Sequence, residues 1–273
     1  MFKNDFSSPK IMGILNLTPD SFSDGGRYET GEAAIRGLEM VAEGADIIDI
    51  GGESTRPGAL RVNAAEQINR VLDTIVELRE RLPSGFPISI DTTLSEVAQR
   101  AIEHGASMIN DISAGRDDPE ILSVAASNDV PIVLMHMQGT PETMQQAPVY
   151  KDVVTEVKSF FEKRIEAALI AGVASNSLLL DPGIGFGKSK RHNLQLLSEL
   201  QQFGELGCPL LLGVSRKGFM GSVCDVNDPS QLMPATCACT ALGVMAGVKI
   251  FRVHDIWQNR QAVDVTWAIH QAR

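Results

Sequence analysis

The stretch Leu178-Leu179-Leu180-Asp181-Pro182-Gly183-Ile184-Gly185-Phe186-Gly187-Lys188 sets the pattern of the chain. Three leucines ahead of a polar break predict a buried strand. Asp-Pro-Gly ends that strand sharply, because proline lacks an N–H and glycine tolerates positive φ. The glycines leave backbone N–H groups uncovered, so a ligand can approach closely. Taken alone the loop has two readings, a phosphate cradle and a plain strand-to-helix turn.

The unit of apolar strand, polar loop and helix recurs along the whole chain. Predicted strands run over Ile11 to Leu15, Asp46 to Ile50, Pro87 to Asp91, Ser107 to Ile112, Pro131 to Met135, Leu178 to Asp181, Pro209 to Gly213 and Lys249 to Val253. Predicted helices run over Thr30 to Gly44, Ala64 to Leu82, Leu94 to His104, Pro119 to Ser127, Lys151 to Ala171, His192 to Phe203, Pro234 to Ala246 and Ile256 to Gln271. Such alternation implies parallel strands joined by helical crossovers. Eight units at roughly thirty-residue spacing are what a (β/α)8 TIM barrel requires. An open doubly wound sheet is the alternative and has fewer strands. With no linker or low-complexity break, residues 1–273 are expected to form a single domain.

Composition narrows the function. Of 273 residues, 44% are hydrophobic, 21% charged and 5% aromatic, which suits a globular protein with an aliphatic core. The net charge of −10 argues against a nucleic-acid or anionic-membrane surface. A local cluster of cations still allows an anionic substrate. There is no apolar window long enough for a membrane span and no apolar leader in Met1 to Lys10, so a cytoplasmic location is expected. Cys208, Cys224, Cys237 and Cys239 lack zinc-ligand spacing and are read as reduced core thiols.

Nearly every strand ends in polar residues: Asn16, Asp49 with Glu53, Asp91, Asn110 with Asp111, His136, Asp181, Ser215 with Lys217, and Arg252 with His254. In a closed parallel barrel all these ends meet at one mouth, where such enzymes keep their sites. Single carboxylates after a strand commonly form turns or caps, and Asp49 and Asp111 are open to that reading. Lys217, Arg252 and His254 suit an anion with several oxygens, such as a diphosphate. Asn16 offers an amide oxygen to a hard cation such as Mg2+ carried on phosphates. Asp91, Asn110 and Asp181 form an acceptor-rich group suited to adjacent N–H donors of a nitrogen heterocycle. His136 and His254 are candidate general bases, without a partnered nucleophile.

These residues sit in long motifs. Ile14-Leu15-Asn16-Leu17-Thr18-Pro19-Asp20-Ser21-Phe22-Ser23-Asp24-Gly25-Gly26 and Asp49-Ile50-Gly51-Gly52-Glu53-Ser54-Thr55-Arg56-Pro57-Gly58 resemble the two signatures of the bacterial dihydropteroate synthase family. Ile90-Asp91-Thr92, Ile109-Asn110-Asp111, Leu134-Met135-His136-Met137, Leu180-Asp181-Pro182-Gly183, Ser215-Arg216-Lys217 and Arg252-Val253-His254 fall at its later motifs. The resemblance runs from about Lys10 to the C-terminus.

It implies a (β/α)8 enzyme of folate biosynthesis, a homodimer, joining 4-aminobenzoate to 6-hydroxymethyl-7,8-dihydropterin diphosphate. By motif, Asn16 would hold Mg2+ and, with Thr55, Arg252 and His254, the diphosphate. Asp91, Asn110, Asp181, Lys217 and Arg252 would hold the pterin, with Met135, Phe186 and Gly213 lining its pocket. The 4-aminobenzoate would lie near Thr55, Pro57, Lys217 and Gly218, its carboxylate at the helix opening after Arg216. Asp91, Lys217, Arg252 and His254 carry the catalytic expectation. Many family members have serine where this chain has Gly218. On this reading phosphate moves away from the glycine loop, and Lys188 is left a solvated surface residue. Loops 18–27 and 54–63 are expected lids. Two rival readings share the fold: a methyltetrahydrofolate:corrinoid methyltransferase and a non-catalytic pterin-binding barrel.

Overall fold

The computed structural model describes residues 6–18 and 30–272. The strands are β1 (Lys10–Asn16), β2 (Ile47–Gly51), β3 (Ile88–Asp91), β4 (Met108–Asp111), β5 (Ile132–Met135), β6 (Leu178–Asp181), β7 (Leu211–Leu212) and β8 (Ile250–Val253). Their order in the sheet is β6-β5-β4-β3-β2-β1-β8-β7, all pairings being parallel. A bridge between Leu180 and Leu210, with Leu180 N–H donating to Pro209 at 3.0 Å, joins β6 to the approach to β7 and closes the ring. The expected barrel is therefore what the chain forms, with β7 reduced to two residues where closure is thinnest.

The helices are α1 (Thr30–Ala42), α2 (Ala64–Arg81), α3 (Ser95–Glu103), α4 (Glu120–Ser127), α5 (Val153–Ile170), α6 (Lys190–Ser198), α7 (Leu200–Gly204), α8 (Gly218–Cys224), α9 (Met233–Met245) and α10 (Ile256–Gln271). Their starts follow capping chemistry. Asn63 accepts the Glu66 N–H ahead of α2, and Asp152 accepts the Thr155 N–H ahead of α5. Ser189 and His192 form a reciprocal cap that starts α6 before His192, and the expected single helix to Phe203 breaks in two at Glu199. Most of the first signature and its loop, residues 19–29, lie outside the described residues.

Two apolar layers result. The larger packs strands against helices, around residues such as Ile48, Ile75, Phe161, Phe203 and Phe251. A second, smaller cluster lies inside the ring: Met12, Ile47, Met108, Val133, Leu179, Leu211 and Ile250. Each comes from a different strand, and together they form the barrel floor. Successive side chains of a strand alternate faces, so residues two further along point inward again. Those positions are Ile14 and Asn16, Asp49, Asn110, Met135, Asp181, Gly213, and Arg252 and His254. The register agrees, because Asn16, Gly51, Asp91 and Asn110 are successive neighbours across β1 to β4, and Met135 neighbours Asp181. The inner face thus gains most of its polar groups one step toward the C-terminal mouth, with Ile14 and Met135 remaining apolar there.

Candidate functional site

The polar step is organised by Arg252. Its Nε donates to Asp49 Oδ2 at 2.6 Å and its Nη2 to Asp91 Oδ2 at 2.6 Å. Burial opposes the guanidinium charge, but Asp49 and Asp91 more than offset it, and Arg252 is held above its ordinary range. Asp49 is fully buried and also accepts Asn110 Nδ2 at 3.0 Å. It caps nothing, which corrects the turn reading of this residue. Because an ionised carboxylate only accepts, Asn110 must turn its NH2 to Asp49 and its Oδ1 away from it. The sequence signal for Asp49 was its inward register with Ile47, one strand step below the mouth. For Asp111, left open between site and turn, the structure shows the turn: its carboxylate accepts Ser113 N–H at 2.7 Å and Gly115 N–H at 2.5 Å.

The other acceptors are placed with equal economy. Asp181 Oδ1 accepts Gly183 N–H at 2.7 Å, which leaves Oδ2 for the cavity. A Cβ at Gly213 would lie 3.6 Å from that Oδ2, and one at Gly51 would lie 3.6 Å from Asn16 Oδ1 and 3.4 Å from Asp91 Cβ. Both glycines hold space open between site groups. Burial raises Asp91 to about 7, with Arg252 opposing and Asp49 and Asp111 adding to the rise. Burial also raises Asp181. In both groups burial favours the neutral acid.

One wall is apolar. Ile112, Met135, Met137, Met144 and Phe186 pack together, with Met135 and Phe186 among the residues expected to line the pocket. Lys217 Nζ stands 4.0 Å above the Phe186 ring. Burial lowers Lys217 to about 8; Arg252 adds to the fall, and Asp181 and Asp91 oppose it. Arg216, between Ser215 and Lys217, adopts φ 58° and turns its side chain away to Asp255, at 3.0 and 2.6 Å. His254 sits against Ser215, its Nδ1 2.9 Å from the hydroxyl.

The glycine loop is built around Lys188, which corrects the expectation of a solvated residue. Lys188 is 2% exposed. Its Nζ donates to the carbonyls of Gly183 and Phe186 at 2.9 Å and of His136 at 3.2 Å, and lies 2.9 Å from His136 Nδ1. The loop carbonyls, not its N–H groups, converge, and they converge on a cation of the chain itself. The phosphate reading fails for that reason. Burial pushes the Lys188 pKa down strongly. A Cβ at Gly183 would lie 1.9 Å from His136 O, and one at Gly187 2.4 Å from Gln138 O, so the loop packs backbone to backbone on the end of β5. His136 is no candidate base: burial, then Lys188, lowers it to about 2, and its ring packs edge-on to Phe160 at 4.8 Å.

Thr55 and Pro57 lie on the β2–α2 loop, and among the described residues no hydrogen bond ties them to the ring. That loop is fastened at its base, where Val62 N–H donates to Glu53 at 2.7 Å, and at its tip, where Gly58 N–H donates to Pro141 at 3.0 Å. Gly218 is exposed at the start of α8, and a Cβ there would meet nothing within 4 Å. The four cysteines are free thiols, but Cys224 is exposed rather than in the core. Among the described residues no group of three or more His, Cys, Asp or Glu is placed to hold a metal. The single neutral oxygen of Asn16 fits a cation brought in on substrate phosphates.

The pterin binding enzyme family model matches residues 12–254. The dihydropteroate synthase of Synechocystis sp. is 46% identical over 260 residues, covering 95% of this chain and 89% of that protein. A Yersinia pestis dihydropteroate synthase solved with a sulfonamide drug complex superposes with a TM-score of 0.92 at 42% identity, covering 98% of this chain and 96% of the other. A Xanthomonas albilineans dihydropteroate synthase solved with 4-aminobenzoic acid gives a TM-score of 0.91 at 44% identity, covering 98% and 95%.

Replacing Lys188 by methionine leaves the Phe186 and His136 carbonyls without a donor and takes one of two donors from Gly183, which keeps the Phe186 N–H. We expect a loss of about 3 kcal/mol or more in urea unfolding. A loss under about 0.5 kcal/mol would show that the loop does not depend on this ammonium.

Proposed function

The chain belongs to the dihydropteroate synthases within the pterin-binding enzyme family, and on that basis we propose how its residues share the work. The reaction condenses 6-hydroxymethyl-7,8-dihydropterin diphosphate with 4-aminobenzoate, giving 7,8-dihydropteroate and diphosphate. The observation that carries the residue assignment is the ring of inward strand ends above the barrel floor, with acceptors on β1 to β4 and β6 and cations after β7 and on β8.

The pterin edge carries adjacent N–H donors, and Asp91, Asn110 Oδ1 and Asp181 Oδ2 are the acceptors that would take them. Met135, Phe186 and Gly213 form the slot for the flat ring. Lys217 would donate to a ring acceptor, and Arg252 would lie along the ring. Arg252 uses two of its five N–H groups on Asp49 and Asp91, leaving three for ligand. Asn16, Thr55, Arg252 and His254 would hold the diphosphate. Mg2+, bound by Asn16 and the diphosphate oxygens, would supply further neutralisation of the leaving group.

Arylamine nitrogen is a weak nucleophile, which favours a dissociative route. The C–O bond to diphosphate breaks first, its electron pair leaving with the diphosphate. Arg252 and His254 stabilise that developing charge, the kind of term that dominates in many enzymes. The exocyclic CH2 cation is shared with the electron-rich dihydropterin, and Asp91 and Asp181 favour positive charge beside it. The amine then adds and loses a proton. 4-Aminobenzoate would sit near Thr55, Pro57, Lys217 and Gly218, with its carboxylate at the start of α8. Sulfonamides would compete there, in keeping with the drug complex of the Yersinia pestis relative.

We further propose that the protein works as a cytoplasmic homodimer. Leu242 on α9 and Trp257, Val265 and Ile269 on α10 are large apolar side chains left exposed, and a second copy would cover them. Among the described residues no helix is long and apolar enough to cross a membrane.

A coupled assay of diphosphate release, run with and without 4-aminobenzoate, tests this function. Release with the amine and slow hydrolysis without it are expected. Strictly amine-dependent cleavage would count against the dissociative route, and no release at all would favour the methyltransferase or the non-catalytic barrel. Gly218→Ser should shift the constants for aminobenzoate and for a sulfonamide modestly, since the added side chain meets only open space; identical constants would remove Gly218 from that subsite.

The Lys217 ammonium is present below about 8 and lost above it. Affinity for the pterin substrate should therefore fall as pH rises through that value, and Lys217→Arg, charged throughout, should lack the fall. An unchanged alkaline fall in Lys217→Arg would reassign it to another group.

A further inference from the structure

His254 follows β8 in inward register with Arg252. Its backbone N–H donates to Ser215 Oγ at 3.2 Å, while its Nδ1 lies 2.9 Å from the same oxygen. Ser215 is buried, at 6% exposure. Beside this contact, Arg216 pairs with Asp255, so two consecutive residues after β7 are zipped to two after β8. Arg216 N–H also donates to Thr236 Oγ1 at 3.2 Å, which fixes the turn from the α9 side.

Two proton arrangements fit these distances. If Nδ1 carries the hydrogen, Oγ accepts twice and its own hydrogen has no acceptor, because Ser215 Oγ has no other partner among the described residues. A buried O–H left in that state costs about 1–3 kcal/mol. If Nδ1 is bare, Oγ accepts the backbone N–H and donates to Nδ1, and every group is satisfied. The ring proton then sits on Nε2, which has no partner among the described residues. We propose that Ser215 is a positioning residue that holds His254 in the Nε2–H tautomer, so that the ring presents a neutral hydrogen-bond donor to an oxyanion at the barrel mouth. Only the identity of that oxyanion, the diphosphate, rests on the function proposed above. Burial, then Arg252 and Arg216, lower His254 to about 4, so the ring is neutral at neutral pH, where the choice of tautomer decides whether it can donate.

Nitrogen–proton correlation spectra of the full chain, labelled in its histidine rings, read the tautomer directly; His254→Asn identifies the signal. Near neutral pH we expect bare Nδ1 and protonated Nε2 in the parent and in Ser215→Thr, which keeps the hydroxyl. Ser215→Ala should move the ring toward a mixture of tautomers and lower kcat/KM for the pterin diphosphate about tenfold. A protonated Nδ1 in the parent overturns the proposal without any variant, and so does an unchanged tautomer in Ser215→Ala. Adding inorganic diphosphate separates the two layers of argument. A shift of the Nε2 signal supports the diphosphate assignment. No shift would remove His254 from the diphosphate site, while the effect of Ser215 on the tautomer would stand.

Discussion

One largely enclosed guanidinium holds the site together. Arg252 lies between Asp49 and Asp91, two carboxylates from neighbouring strands on the far side of β1 from its own. A charge placed there alone would be intolerable, and a buried pair broken on one side typically costs about 3–5 kcal/mol. The arrangement is therefore fixed as a unit. Asp49 sets the direction of Arg252 and, through the same oxygen, the amide of Asn110. Asp91, sharing the same cation, is raised toward neutrality by burial. The distribution of donors and acceptors around the cavity follows from this one cross-barrel contact.

The barrel supplies the frame for it. The floor residues Met12, Ile47, Met108, Val133, Leu179, Leu211 and Ile250 exclude water beneath the polar ring. The two inward glycines, Gly51 and Gly213, remove side chains where the ring would otherwise be filled. Lys188 braces the loop after β6 from below, and Phe186 in that loop forms the wall on which Lys217 rests. Floor and ring are consecutive levels of the same strands, and the wall stands on the loops that leave β4, β5 and β6.

Much of this was legible in the sequence. Eight apolar strands gave the barrel, their polar ends brought Asn16, Asn110, Asp181, Arg252 and His254 to one mouth, and the family motifs added Met135 and Gly213. Asp49 was not distinguished from a turn residue, because a lone carboxylate after an apolar run looks the same whether it caps a loop or receives an arginine from six strands later in the chain. Lys188 was misplaced for a related reason. Glycine-rich loops advertise free N–H groups, but here the carbonyls of Gly183 and Phe186 turn inward, and only the folded loop shows that they converge on a lysine. His136, exposed to reasoning as a strand-end histidine, is buried against Tyr150 and Phe160 of the loop and helix that follow it, and only the fold shows that they turn back over its ring.

The most direct test of the Asp49 anchor is a double-mutant cycle. Asp49→Asn, Arg252→Lys and the pair would be compared with the parent by calorimetric binding of the pterin substrate. If Asp49 acts by aiming Arg252, the two losses overlap and the coupling energy is about 1–3 kcal/mol. If the losses simply add, to within about 0.5 kcal/mol, the two residues act independently and the account of the site as one unit organised by Arg252 is wrong.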